Sequence, residues 1–130
     1  MSLKPEIEAA VRDALQKCWS EKTGAGWSPN YPSYNQCMQT AVVVLRVFGG
    51  EILKTIVITC DGREVEHFYN RIAGHRYDFT RDQFNIPNYW KLIRYDDIEV
   101  SEHEVVSRLC PEFLNSLSAA FSKEYKLPIC

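Results

Sequence analysis

The hydrophobic residues near the start of the chain recur at helical spacing. They are Ile7, Val11, Ala14, Leu15 and Cys18. This spacing places them on one face of an amphipathic helix, which Pro5 can begin because proline is preset for the first helical position. The helix should stop before Gly24-Ala25-Gly26, and from Trp27 to Asn35 the chain is rich in turn residues, with Pro29 and Pro32 barring regular structure. We therefore predict an N-terminal helix followed by a turn-rich segment.

The second hydrophobic segment, Cys37–Phe48, is apolar at almost every position. Periodicity does not separate a buried helix from a buried strand in such a run, and its valines at 42–44 favour a strand. Its length favours a helix, Ser33 followed by Gln36 matches a capping box, and Gly49-Gly50 supplies a stop. We predict a helix in the middle of the fold.

Three β-rich segments follow, over residues 52–60, 64–71 and 76–80. Asp61-Gly62, between the first two segments, is the pair that a type I′ hairpin turn requires, and Ala73-Gly74 marks the second turn. Strands joined in succession by tight turns form an antiparallel meander.

The C-terminal part of the chain is less regular in its pattern. Ile93–Tyr95 could form another strand, and Tyr89 and Trp90 are interpreted as a satellite packing cluster. A last helix begins near Pro111, and its apolar stripe consists of Phe113, Leu114, Leu117, Phe121 and Tyr125. The predicted fold class is α+β: a central buried helix packed on a small antiparallel sheet, with N- and C-terminal helices.

Length and charge narrow the function classes. The 130 residues suit one domain, 1–130, and the net charge is -2. That charge argues against a nucleic-acid partner held through phosphate contacts and against an anionic membrane surface. No stretch approaches the ~20 apolar residues of a membrane-spanning helix, and the N-terminus lacks an apolar signal core.

The cysteines indicate a reducing compartment. There are five, an odd number, with no C-x-x-C pair, so we expect a cytoplasmic protein. The spacing of cysteines and histidines fits no zinc site, and we expect neither a metal nor another cofactor.

Cys37 would lie in the first turn of the predicted central helix. There the free backbone N–H groups and the helix dipole favour a thiolate, and the N–H of Cys37 could face an oxyanion. A neighbouring imidazolium would strengthen this effect. The alternative interpretation is a free cysteine that serves as a small buried hydrophobe.

His67 and Asp78 lie on adjacent predicted strands, joined by the Ala73-Gly74 turn. Partners across a hairpin share a constant sum of residue numbers, and a loop with an even number of residues makes that sum odd. Any odd sum puts the two side chains on one face, directly opposite or one diagonal apart. Asp78 could then orient the imidazole, whereas strand alternation turns Asn70 to the other face. A half-buried strand histidine and a surface aspartate are the alternative interpretation.

Four segments carry a family resemblance: N-Q-C at 35–37, F-G-G-E-I-L at 48–53, H-F-Y-N at 67–70 and D-F-T-R-D-Q-F at 78–84. Together they resemble the YunG-like family of small bacterial proteins, whose pattern is close to G-Q-C, G-G-E-I-L, H-Y-W-N and D-L-T-R-x-Q-F. The resemblance covers residues 27–84 and implies architecture more than activity. Asn35 replaces the usual glycine, which could change access to Cys37. Phe68-Tyr69 replaces Tyr-Trp, which could reshape a pocket wall.

The order of these residues, a cysteine at a helix start, a histidine on a strand and an aspartate on the next strand, also resembles papain-like folds, including transglutaminase-like and NlpC/P60-like domains. That resemblance implies a papain-like core with Cys37, His67 and Asp78 as catalytic residues, and Gln36 or Trp27 as a further oxyanion donor.

Two functions remain open from the sequence. One is a cysteine-dependent amide or isopeptide hydrolase, or an acyl transferase, acting on an unidentified small molecule or protein. The other is a non-catalytic binding module that retains the fold of a cysteine peptidase-like ancestor, with the aromatic segment Tyr89–Tyr95 as its contact surface.

Overall fold

The N-terminal hydrophobic stripe forms helix α1, Pro5–Cys18, in a computed structural model that describes residues 3–126. Pro5 begins the helix as predicted, and Val11 and Leu15 are fully buried. Residues 19–36 then run through turns and bends without a helix or a strand. The predicted helix and turn-rich segment are therefore confirmed.

Helix α2, Cys37–Phe48, is the predicted central helix, and residues 39–44 are buried without interruption. Its predicted cap is wrong. The capping position belongs to Gln36, whose side chain makes no capping hydrogen bond. Asn35 adopts a left-handed conformation with φ of 60°, and the buried Ser33 hydroxyl has no hydrogen-bond partner among the described residues. Gly49 ends the helix as predicted, with φ of 78°.

The sheet contains β1 (Glu51–Thr59), β2 (Glu64–Ile72), β3 (His75–Tyr77), β4 (Trp90–Leu92) and β5 (Ile98–Val100). The order is β3-β2-β1-β4, β5 also pairs with β1, and every pairing is antiparallel. The two predicted hairpins are confirmed, although β3 ends before Asp78. The strand expected at 93–95 is wrong, because strands flank that segment while Tyr95 bonds to Asp78.

The β1–β2 turn differs from the type I′ expectation. Thr59 and Arg63 close the hairpin, since the Thr59 N–H donates to the Arg63 carbonyl at 3.0 Å. Within residues 60–62, only Gly62 has positive φ, 86°. A type I′ turn needs positive φ at both central residues, whereas one left-handed glycine fits a three-residue loop with a bulge.

The helices α3 (Glu102–Arg108) and α4 (Pro111–Glu124) complete the described range. Helix α4 buries Leu114, Leu117 and Phe121 against α1 and α2, so α2 lies between α4 and the sheet. The fold is thus α+β, with four described helices and a curled antiparallel sheet. None of the helices within residues 3–126 has the length and apolar character needed to cross a bilayer.

Candidate active site

Cys37 is the first residue of α2 and is half-buried. Its side chain lines a cavity of about 400 Å³, and His67 lines the same cavity. The backbone N–H groups of Cys37 and Met38 belong to the first helical turn, where no intrahelical acceptor exists. The cavity volume falls in the range of roughly 300–1,000 Å³ found for small-molecule sites.

The β2–β3 hairpin brings His67 and Asp78 together. Asn70 pairs with Tyr77 and Ile72 with His75, so the turn contains only residues 73 and 74, and the sum of paired numbers is odd. Continuing that register puts Asp78 one diagonal from His67 on the same face. His67 Nε2 lies 2.7 Å from Asp78 Oδ2, and His67 is only 2% exposed.

Two further residues hold the Asp78 carboxylate. The Tyr95 hydroxyl donates to Oδ2 at 2.6 Å, and the backbone N–H of Thr80 donates to Oδ1 at 3.2 Å. Burial alone would raise the pKa of Asp78, but the hydrogen bond and charge of His67, with the Tyr95 and Thr80 donors, hold it below its ordinary value. The carboxylate therefore stays ionised in the protein interior.

The electrostatic state of His67 depends on its neighbours. Burial alone lowers the pKa of His67, but the hydrogen bond and charge of Asp78, together with the neighbouring Cys37, outweigh burial and raise it to about 9. Because Nε2 is bound to Asp78, Nδ1 is the nitrogen left for the Cys37 sulfur. An imidazolium paired with a carboxylate can stabilise a thiolate nearby.

Gln83 is a site residue that the sequence reasoning missed. It lies in a short 3₁₀ helix, Arg81–Asn85, and its Nε2 is 3.4 Å from His67 Nδ1 and 3.1 Å from the Thr80 carbonyl. The next residue, Phe84, meets the imidazole edge to face at 4.7 Å. The family-like segment D-F-T-R-D-Q-F could have pointed to Gln83. Four residues of this segment surround or support the His67–Asp78 pair: Asp78, Thr80, Gln83 and Phe84.

Neither predicted oxyanion donor reaches the cavity. Gln36 is fully buried, and its amide is used elsewhere: Oε1 accepts from Thr23 Oγ1 at 2.9 Å and Nε2 contacts the Ser20 carbonyl at 3.5 Å. Trp27 packs against the hydrophobic core, and it is not among the residues that line the cavity. Asn70 faces away from His67 as predicted, because its Nδ2 donates to the Ala41 carbonyl in α2.

The cavity walls combine aromatic and charged residues. They include Tyr34, Met38, Arg63, Glu66, Tyr89, Trp90, Arg108 and Phe113. Tyr89 and Trp90 do pack on each other, with ring centroids 4.7 Å apart, but they also form part of the cavity wall.

Across residues 3–126 no cluster of three or more histidine, cysteine or acidic side chains could hold a metal ion.

The fold and the site define an α+β protein with a buried histidine–aspartate pair beside a half-buried cysteine. The chain belongs to the YunG protein family, whose model matches residues 8–126. A relative from Bacillus subtilis (strain 168), described as "Uncharacterized protein YunG", is 38% identical over 113 residues, or 87% of this chain and 90% of the relative. No solved structure matches the chain. The match confirms the family resemblance and extends it beyond residues 27–84.

Proposed function

We propose that the chain is a cysteine-dependent hydrolase or acyl transferase that acts on an amide or isopeptide bond. The observation that carries this proposal is a single cavity lined by the helix-start residue Cys37 and by His67, whose other ring nitrogen bonds Asp78 at 2.7 Å. The order of these elements, helix start, strand and following turn, supports a papain-like core by analogy.

The reaction would proceed through a thioester. His67 takes the proton of Cys37, and the thiolate attacks the acyl carbon, forming a C–S bond. The backbone N–H groups of Cys37 and Met38 can donate to the oxyanion. The His67 imidazolium then protonates the leaving amine as the C–N bond breaks. Water or a second amine, deprotonated by His67, attacks the thioester and releases the thiol.

One observation favours the non-catalytic alternative. His67 is only 2% exposed, and the Gln83 amide faces the same Nδ1 that a thiol would use. Under that alternative the His67–Asp78 pair is structural, and the cavity binds a ligand without reacting. The partial exposure of Cys37 supports the enzyme instead, because a sealed sulfur could not reach a substrate.

The reactivity of Cys37 separates the two functions. We expect iodoacetamide at about pH 6 to modify Cys37 at least ~10-fold faster than the exposed Cys60, because only the thiolate is nucleophilic. Peptide mapping by mass spectrometry measures both rates in one sample. His67→Gln should remove the advantage, while His75→Gln, which changes an exposed histidine, should keep it. Equal alkylation rates at Cys37 and Cys60 in the unaltered protein would contradict the proposal that Cys37 is an activated nucleophile.

A further inference from the structure

One end of the cavity carries a cluster of hydrogen-bond donors that the proposed chemistry does not use. Tyr34, Arg63 and Tyr89, here called the anion subsite, line the same cavity as Cys37. The Tyr34 and Tyr89 hydroxyl oxygens are 3.0 Å apart, and their rings meet edge to face at 5.9 Å. The Arg63 guanidinium lies near the Tyr89 hydroxyl.

The anion subsite has more donors than acceptors. Arg63 contacts the Asp61 carboxylate through Nε, at 3.1 and 3.2 Å, and no carboxylate within residues 3–126 hydrogen-bonds its terminal amino groups. Only one hydroxyl hydrogen can lie between the Tyr34 and Tyr89 oxygens, so the other hydroxyl keeps its hydrogen for a further acceptor. Such a set is complementary to a group that only accepts hydrogen bonds, as a carboxylate does.

The charges around the cavity favour an anion as well. Two arginines, Arg63 and Arg108, line it against one acid, Glu66. Glu66 is bonded by both Arg108 and Lys54, so little of its negative charge is left to repel an anion. The charged residues of the cavity wall sum to one positive charge, which Asp61 beside Arg63 partly neutralises, in a chain whose net charge is -2.

We propose that the substrate of Cys37 carries a carboxylate near its reacting acyl group, and that Arg63, with the hydroxyls of Tyr34 and Tyr89, binds this carboxylate. The inference rests on the proposed function, since it assigns the substrate class of the same site. A guanidinium presents its N–H groups in a planar fork that matches the two oxygens of a carboxylate. The neighbouring Trp90 and Phe113 offer apolar surface to the remainder of the substrate.

Paired alkylating reagents test this substrate class without knowledge of the substrate. Iodoacetate and iodoacetamide transfer groups of similar size and differ in charge, so the ratio of their rates at Cys37 measures the anion preference of the cavity. Arg63→Gln should lower that ratio about fivefold at low ionic strength, and added salt should shrink the difference. Asp61→Asn should raise the ratio, because it removes the carboxylate that partly neutralises Arg63. Arg46→Gln is the matched control, since Arg46 is an exposed arginine paired with Glu102 outside the cavity.

The outcomes keep the two proposals apart. A ratio that changes for Arg63→Gln and Asp61→Asn in opposite directions, and not for Arg46→Gln, supports the anion subsite. Rapid reaction of Cys37 with iodoacetamide, with the same ratio in all four proteins, overturns the subsite and leaves the cysteine enzyme intact. Slow reaction of Cys37 with both reagents overturns the proposed function and, with it, the substrate class.

Discussion

The imidazole of His67 is held by three side chains, and the ring also lines the cavity. Asp78 binds Nε2, Gln83 faces Nδ1, and Phe84 packs against the ring edge to face. Buried charges in proteins persist only when they are paired and hydrogen-bonded, and Asp78 meets that condition through His67, Tyr95 and Thr80. The orientation of one ring thus depends on residues from β2, the turn after β3, the 3₁₀ helix and the loop before β5.

The carboxylate of Asp78 is the group that keeps His67 protonated. In Asp78→Asn the charge and the strongest acceptor are lost, so burial should dominate and the pKa of His67 should fall by at least about one unit. Under the proposed mechanism the rate of Cys37 alkylation at about pH 6 should fall with it, because that mechanism needs His67 to accept the proton of the thiol. NMR titration of the His67 ring measures the first effect and peptide mapping the second.

The control for this change is Asp82→Asn. Asp82 is an exposed carboxylate in the same segment, and its replacement makes the same chemical change without touching His67. An unchanged His67 pKa in Asp78→Asn would mean that the Asp78 carboxylate does not determine the protonation of the ring.

At the residue scale, the sequence predicted the His67–Asp78 pair but not the residues that hydrogen-bond to it. His67 and Asp78 could be matched because, for a loop with an even number of residues at Ala73-Gly74, the residue numbers put both side chains on one face, whereas a three-residue loop would have separated them. Tyr95 could not be found, because it reaches Asp78 from a loop with no periodicity. Gln36 was assigned to the cavity from its place beside Cys37, but its amide turns back to the segment around Thr23. Sequence adjacency does not fix the direction of a side chain in an irregular segment.

At the scale of elements, the most constrained boundary is the one between α2 and β1. Gly50 has φ of 85°, and a Cβ atom added there would lie 2.1 Å from the Arg71 carbonyl oxygen on β2. The close approach lets the helix end and β1 begin within two residues, Gly49 and Gly50. It therefore sets how α2, and with it Cys37, meets the strand that carries His67.

Gly50→Ala should destabilise the fold by more than the cost of a left-handed alanine. That cost alone is about 1–2 kcal/mol, and the Arg71 carbonyl would have to move as well. Gly62→Ala is the matched control, because Gly62 has φ of 86° and nothing within 4 Å of an added Cβ. Urea denaturation of both variants gives the difference in unfolding free energy. Equal losses would show that the contact with Arg71 carries no cost.

The elements that the sequence predicted are those with strong local signals. Helices α1, α2 and α4 and the β1–β2–β3 meander have periodicity, stops or turn residues that act over short distances. Strands β4 and β5 are three residues each, and they form by pairing with β1 from far along the chain. Their own residues contain no signal that separates them from the neighbouring Ile93–Tyr95.

At the scale of the whole molecule, α2 is covered by the sheet on one side and by α4 on the other. The Cys37 end of this buried helix opens on the cavity, while residues 39–44 are enclosed. The buried run anchors α2 in the core and so fixes where the helix start, with Cys37, meets the cavity. The central position of α2 was predictable from its composition, whereas the shape of the cavity depends on loops and was not.

The His67–Asp78 pair links folding to pH. The pKa of His67 rises from its ordinary 6.5 to about 9, so the stability it contributes is complete below 6.5 and is lost as pH rises toward 9. The pKa of Asp78 is held below its ordinary 3.8, so its contribution is present above 3.8 and is lost as pH falls through its value in the folded state. The pair therefore stabilises the protein most between about pH 4 and pH 6.5.

We expect the free energy of unfolding to fall between pH 6 and pH 9 by up to about 3 kcal/mol in a Cys37→Ser background, where no thiol at this site can release a proton that offsets the one His67 binds. Asp78→Asn should flatten this dependence, since His67 then no longer gains a proton on folding. Denaturant titrations at both pH values measure the effect, with Asp82→Asn as the control. A protein more stable at pH 9 than at pH 6 would contradict the assigned charge state.

The two-residue turn at Ala73-Gly74 limits how the length of this chain can vary in evolution. Removing one of these residues leaves the chain too short to keep the Ile72–His75 pair, so the hairpin must either lose that pair or slip by one position. A slip would move Asp78 to the side of the sheet that contacts α2, and the histidine would lose its partner. An added residue can instead be accommodated in a three-residue loop, as between β1 and β2, without changing any pair. We therefore expect homologues to tolerate insertion at this turn more readily than deletion.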